Sequence, residues 1–264
     1  SSGGIIFFVS TLVSSLSEVP QIRNNIYLYS NTKSKFTHLA SSWWRDQDSN
    51  YIDKCHIEKR FNLEYLEKCL KINRKKNKTI NFVLGDSHAR NYMPAIRKAF
   101  EETRDTLYMT SGQDCLFSLS DYSYSLSDDP ELCKEQTLST LKFLNKFAKS
   151  GDFIFIGQSL YSSRLKQRVK SKYFNGIAKI TNSLREKGIK VFLMDGTSPP
   201  PIPPEGCIFF PNRRGCNIEK NVVIDLYSDF DNLAKKYSNK YDFKYIPLRD
   251  GLCSGDVCSQ KSKS

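Results

Sequence analysis

The spacing of hydrophobic positions along this chain changes at about residue 79. Before it, residues 17–78 are polar and irregular, with a helical spacing of apolar residues at 62–72. After it, short apolar, β-branched runs alternate with segments in which apolar residues recur every three or four positions. The first pattern is typical of a buried strand and the second of a helix with one buried face. They predict strands at residues 79–84, 105–110, 152–156, 189–194 and 243–246, and helices at 62–72, 92–102, 134–149, 170–187 and 222–237.

Strands that alternate with helices indicate βαβ units and a parallel sheet with helices on both faces. Residues 152–156 form a continuous apolar run, as in a strand covered on both faces. The proline-rich residues 198–204 predict a surface loop, since proline is excluded from helix interiors and central strands. We therefore predict an α/β fold, a three-layer α/β/α sandwich with a five-stranded parallel sheet, in one domain at residues 79–264.

The segment before this domain is predicted to have two parts. Residues 4–16 are an apolar run, shorter than the about 20 residues that span a bilayer. No basic region or small-residue cleavage site of a signal peptide surrounds it. We interpret residues 1–16 as the remnant of a transmembrane helix, with a buried strand or helix as the alternative, and residues 17–78 as a linker and lead-in segment.

Charge and hydropathy exclude some classes of protein. A mean hydropathy of −0.49 excludes a polytopic membrane protein. The 40 Lys and Arg exceed the 28 Asp and Glu, and a net charge of +12 attracts polyanions. The basic residues are spread along the chain, however, and the one dense run, at residues 74–78, is typical of a solvated loop. We do not expect nucleic acid as a partner.

Eight cysteines indicate the compartment of the protein. They fall in local couples that lack the spacing of a zinc ribbon, and only three histidines accompany them. Short-loop disulfides, and hence an oxidising compartment, are our interpretation, with free thiols in a cytosolic protein as the alternative. Sequence alone cannot prove the pairing, because eight cysteines allow about 105 connectivities. The predicted couples are Cys55 with Cys69, Cys115 with Cys133, Cys207 with Cys216, and Cys253 with Cys258.

The end of the first strand carries the candidate chemistry. It reads Gly85-Asp86-Ser87-His88-Ala89. In a parallel sheet ligands bind at the carboxyl ends of strands, and a serine at the start of the following helix would meet the positive end of the helix dipole. Ser87 is therefore a candidate nucleophile, and its backbone N–H a candidate oxyanion donor. Asp and Ser also cap helices, so a plain strand-to-helix turn is the alternative.

The motif Leu84-Gly85-Asp86-Ser87-His88-Ala89 resembles the first block of the SGNH hydrolases, in the form found in SGNH domains fused to bacterial membrane acyltransferases. The resemblance extends over residues 50–258 and includes the cysteine couples and the closing Cys253 and Cys258. It implies a flavodoxin-like fold in which Gly112 donates a backbone N–H to the oxyanion. Where the family's third block has Asn, this chain has Gln158, a candidate amide donor.

The family's last block, Asp-x-x-His, supplies the general base, and no such motif follows Ser87 in this sequence. His88 is adjacent to Ser87 and its side chain would diverge, while His38 and His56 precede the sheet. We interpret the missing block as truncation and expect these 264 residues to be inactive.

The resemblance implies the extracytoplasmic, periplasmic domain of an inner-membrane O-acyltransferase of the peptidoglycan or lipopolysaccharide type. Its membrane half would deliver the acyl donor. An acyl-serine at Ser87 would then pass an acetyl group to a hydroxyl of an envelope glycan, with no metal and no organic cofactor. The alternatives are a carbohydrate esterase, with water as the acceptor, and a non-catalytic glycan-binding domain, which the absent histidine favours.

Overall fold

The computed structural model of the chain describes residues 56–57, 62–70, 72, 79–86, 89, 106–112, 115–158, 170–195, 217–247 and 253–259. Within them the secondary structure consists of nine strands and five helices. The strands are β1 (His56–Ile57), β2 (Ile80–Asp86), β3 (Thr106–Gly112), β4 (Phe153–Gly157), β5 (Lys190–Met194), β6 (Asn217–Glu219), β7 (Lys244–Ile246), β8 (Cys253–Ser254) and β9 (Val257–Ser259). The helices are α1 (Leu63–Leu70), α2 (Asp121–Tyr124), α3 (Pro130–Phe147), α4 (Ser171–Arg185) and α5 (Lys220–Tyr241).

The central sheet has the strand order β1-β3-β2-β4-β5-β7, and every pair in it is parallel. It contains the five predicted strands, which confirms the three-layer α/β sandwich. The sheet also contains a sixth strand that the hydrophobic pattern did not predict, the short β1, which lies at the edge beside β3. β2 lies in the interior of the sheet and is buried along its whole length.

One large core lies between the sheet and the helices α1, α3, α4 and α5. Phe82 of β2 stacks on Tyr108 of β3 and meets the ring edge of Phe143 in α3. Helix α1, which belongs to the segment predicted as a lead-in, buries Leu66 and Leu70 in this same core. Residues before position 79 thus contribute both a strand and a helix to the layers around β2.

A second sheet was not predicted from sequence. It is antiparallel, with the order β6-β9-β8. A disulfide joins Cys253 of β8 to Cys258 of β9, with 3.8 Å between the Cα atoms. Glu219 of β6 pairs with Val257 of β9, and Lys220 donates a backbone hydrogen bond to Asp256, so this sheet is held at the start of α5.

Two predicted helices each differ from the structure by four residues at one end, for local reasons. α3 begins at Pro130 and not at 134, because the Asp129 side chain caps it by accepting from the Leu132 N–H and proline suits the first helical turn. α5 continues to Tyr241 and ends where Asp242 adopts a left-handed φ of 58°. The helix predicted at 92–102, the span 1–16 and the loop 198–204 lie outside the described residues. Among the residues that the structure does describe, no helix is long and apolar enough to cross a membrane.

Candidate functional site

The carboxyl ends of three neighbouring strands meet at one edge of the central sheet. Asp86, the last residue of β2, is in register with Gly112, the last residue of β3. On the other side of β2, Gly85 is in register with Gly157, the last residue of β4. Gln158 follows Gly157 directly, so two of the predicted site residues, Gly112 and Gln158, flank the end of β2. Ser87 is the next residue after Asp86, but Ser87 and His88 themselves lie outside the described residues.

Gly85 lets β2 approach β4 unusually closely. Its φ is +145°, which L side chains rarely adopt. A Cβ at this position would lie well inside 3.0 Å of the Gly157 carbonyl oxygen and 3.2 Å from the Cβ of Ala89. The obstacle is backbone, which cannot rotate away as a side chain can. The position before Asp86-Ser87 therefore requires glycine.

The space beside Gly112 is occupied by a side chain and not by backbone. A Cβ there would collide with the side-chain amide of Gln136, which α3 places against the end of β3. Gln136 is 7% exposed, and it lies on the face of α3 that packs toward the sheet. Sequence reasoning missed this residue. The spacing in the sequence could have identified it. Gln136 lies three residues after Cys133 and four before Thr140, so the three residues share the buried face of the helix.

Gln158 is held in a buried hydrogen-bond network. Its side chain is 1% exposed. Its Nε2 donates to the Phe117 carbonyl at 3.3 Å, and its Oε1 accepts from the Tyr173 hydroxyl at 3.0 Å. The Ser118 hydroxyl in turn donates to the Tyr173 carbonyl at 3.0 Å. Gln158 thus connects the end of β4 to the segment that follows Gly112 and to helix α4. An oxyanion role for it stays a prediction.

A disulfide holds the same segment from its other side. Cys115, three residues after Gly112, is bonded to Cys133 in the first turn of α3, with 5.1 Å between the Cα atoms. Both cysteines are buried in a small cluster with Tyr124. Burial and the nearby Asp121 raise the pKa of Tyr124 to about 12, since each disfavours the phenolate. The bridge and the Gln158 network thus hold residues 115–117, which follow β3 in the chain, to α3, to α4 and to the end of β4.

Two of the four predicted disulfides lie wholly within the described residues, Cys115–Cys133 and Cys253–Cys258, and both are formed. Cys69 is disulfide-bonded as well. Its predicted partner Cys55, and the couple Cys207 and Cys216, lie outside the described residues.

A second group of polar side chains at this edge was also missed. Asp195 follows β5 directly and is completely buried. The Tyr245 hydroxyl lies 3.2 Å from Asp195 Oδ2 and 2.8 Å from Asp231 Oδ1 in α5. The sequence signal that could have identified this group is the position of Asp195, a carboxylate immediately after the apolar strand β5. Within the described part of the chain, no group of three or more His, Cys, Asp or Glu side chains is placed to hold a metal ion.

Comparison with known proteins agrees with this architecture. The family model described as "SGNH domain (fused to AT3 domains)" matches residues 54–263. Among solved structures, the periplasmic domain of a lipopolysaccharide acetyltransferase from Salmonella ser. Paratyphi A superposes with a TM-score of 0.56. The match covers 89% of this chain and 87% of that one at 11% sequence identity, so it is a likeness of fold. No curated protein matches the chain.

Proposed function

Because the chain belongs to the family of SGNH domains that are fused to AT3 domains, we propose that it transfers acetyl groups to hydroxyls of a cell-envelope glycan. Ser87 is the nucleophile and carries the acetyl group as an acyl-serine. The acyl donor comes from the membrane acyltransferase domain, and the reaction takes place on the periplasmic side. The Salmonella domain with the same fold belongs to a lipopolysaccharide acetyltransferase, which is consistent with this class of acceptor.

One observation supports the proposal above all others. The strand register sets Asp86, the residue before Ser87 in the chain, beside Gly112 on one side, while Gly85 pairs with Gly157 on the other. The backbone N–H groups of Ser87 and of Gly112 are the oxyanion donors that we propose. Such N–H groups can stabilise the oxyanion of a tetrahedral intermediate.

The proposed reaction has two steps. The Ser87 oxygen attacks the acyl carbonyl carbon as a base takes its proton, and the donor leaves with a proton once the new ester bond has formed. The glycan hydroxyl then attacks the same carbon, its proton goes to the base, and Ser87 recovers its hydroxyl. In both steps the Ser87 and Gly112 N–H groups hold the negative oxygen, with Gln158 proposed as an additional donor. The family resemblance implies the histidine of an Asp-x-x-His block as the base, a motif that does not follow Ser87 in this sequence.

Two alternatives remain distinct from this proposal. With water in place of the glycan hydroxyl, the same site is that of a carbohydrate esterase. A non-catalytic glycan-binding domain is favoured by a separate observation, namely that no histidine follows His88 in the sequence.

The test compares the full-length protein with its Ser87→Ala variant in cells that lack the native gene. We expect the O-acetyl content of the envelope glycans, measured after mild alkaline release of acetate, to fall to background in the variant. Ser228→Ala is the matched control, because Ser228 is exposed on α5 and its hydroxyl donates to the carbonyl of Asp225 in the same helix. Wild-type acetylation of the glycans in cells with the Ser87→Ala variant would refute the assignment of Ser87 as the nucleophile. A protein that releases acetate from glycans and adds none would be an esterase.

A further inference from the structure

Helix α3 places one polar side chain at the end of the sheet where the proposed reaction occurs. Phe143 of α3 meets Phe82, which stacks on Tyr108 of β3. Gln136 lies seven residues before Phe143, about 10.5 Å along a helix, and Gly112 lies four residues after Tyr108, about 13 Å along a strand. α3 therefore runs back along β3 and brings Gln136 to the level of Gly112.

The amide of Gln136 lies directly against Gly112. Its Nε2, Oε1 and Cδ are the three atoms nearest to a Cβ built on that glycine, all closer than 3.0 Å. The side chain is 93% buried, the complement of its 7% exposure. A side chain at position 112 would push this amide away, so the glycine leaves room for an amide group beside the N–H that the proposed function assigns to the oxyanion.

This end of the core contains a buried polar group without a partner. Within the described part of the chain, the hydroxyl of Thr110, two residues before Gly112 on the same face of β3, is buried and has no hydrogen-bond partner. Burying a hydroxyl without a partner costs free energy, which is recovered when a ligand or a neighbouring polar group supplies the missing hydrogen bond.

On the basis of the proposed function, we propose that Gln136 is a further catalytic residue whose Nε2 donates a hydrogen bond to the acyl oxygen as it becomes negative. The amide of Gln158 already bonds to Phe117 and Tyr173, whereas the amide of Gln136 is the one that lies against Gly112. The ligand class is the carbonyl oxygen of an acetyl ester. The hydrogen bond strengthens as the charge develops on this oxygen, so it stabilises the transition state more than the bound ester.

The test measures p-nitrophenyl acetate turnover by the full-length protein and its variants. Gln136→Met keeps the length of the side chain and its packing on Gly112 but removes the donor. We expect kcat to fall on the order of 10²-fold, the usual effect of deleting one oxyanion donor, with KM nearly unchanged. Thr140→Val is the matched control, because Thr140 is buried one turn further along the same face of α3. It should keep the wild-type kcat.

A second variant separates hydrogen bonding from packing. Gly112→Ala keeps the backbone N–H but displaces the Gln136 amide, so it should lower kcat, and its effect should not add to that of Gln136→Met. A wild-type kcat for Gln136→Met, or additive losses in the double variant, would overturn the inference. Ser87→Ala tests the proposed function separately. If Ser87→Ala is inactive while Gln136→Met is fully active, only the role of Gln136 fails, and if Ser87→Ala is as active as wild type, the proposed function fails.

Discussion

Replacing Gly85 with alanine tests the close approach of β2 and β4 beside the candidate nucleophile. Two costs are expected. A φ of +145° is strained for any residue with a Cβ, at about 1–3 kcal/mol. The new Cβ would also press on the Gly157 carbonyl, and overpacking of this kind costs about 1–3 kcal/mol. The sum is a loss of about 2–6 kcal/mol in the free energy of unfolding.

Gly151→Ala is the matched control for this substitution. Gly151 has a positive φ of +88°, but a Cβ there would meet nothing within 4 Å. It should show the strain alone, so the difference between the two variants isolates the collision with Gly157, about 1–3 kcal/mol. Urea unfolding followed by circular dichroism gives both free energies. Equal losses in the two variants would refute the argument that backbone contact with β4 is what requires glycine before Asp86.

Three further predictions concern the disulfides, Tyr124 and the isolated chain. Replacing Cys115 and Cys133 together by alanine should cost about 3 kcal/mol, and the same change at Cys253 and Cys258 about 2 kcal/mol, since the closed loops span 18 and 5 residues. Urea unfolding checks the order, and a larger loss for the shorter loop would contradict the chain-entropy explanation. Tyr124 should ionise near pH 12, as seen in the 295 nm difference titration between wild type and Tyr124→Phe. Because folding raises this pKa above its usual value near 10, stability should fall as the pH rises from about 10 to 12 in wild type, and less in Tyr124→Phe. The 264-residue chain and its Ser87→Ala variant should hydrolyse p-nitrophenyl acetate at nearly equal low rates. A version extended by an Asp-x-x-His block should hydrolyse it far faster. Rapid turnover by the 264 residues that depends on Ser87 would indicate a base such as His88.

Hydrophobic spacing was sufficient to predict five parallel strands, because the period of apolar residues is a local property of each segment. Because parallel strands end at the same edge of a sheet, the sequence also predicted that Gly112 and Gln158 lie beside the end of β2. The family motif added the candidate roles of Ser87 and Gly112. The cysteine couples Cys115–Cys133 and Cys253–Cys258 were also predictable, because each closes a short loop.

Tertiary structure alone decided the features that join distant segments. β1 has two residues, too few for a period, and it is defined by its parallel pairing with the edge of β3. The β6-β9-β8 sheet pairs residues 217–219 with 257–259, a contact that no local spacing encodes. Gly112 looks in sequence like any turn glycine, yet the amide of Gln136, supplied by another element, lies where a Cβ would be, so a side chain there would have to displace that amide. Spacing along the chain specifies which face of an element is buried, whereas the identity of its neighbour depends on packing between residues that the chain brings together only when it folds.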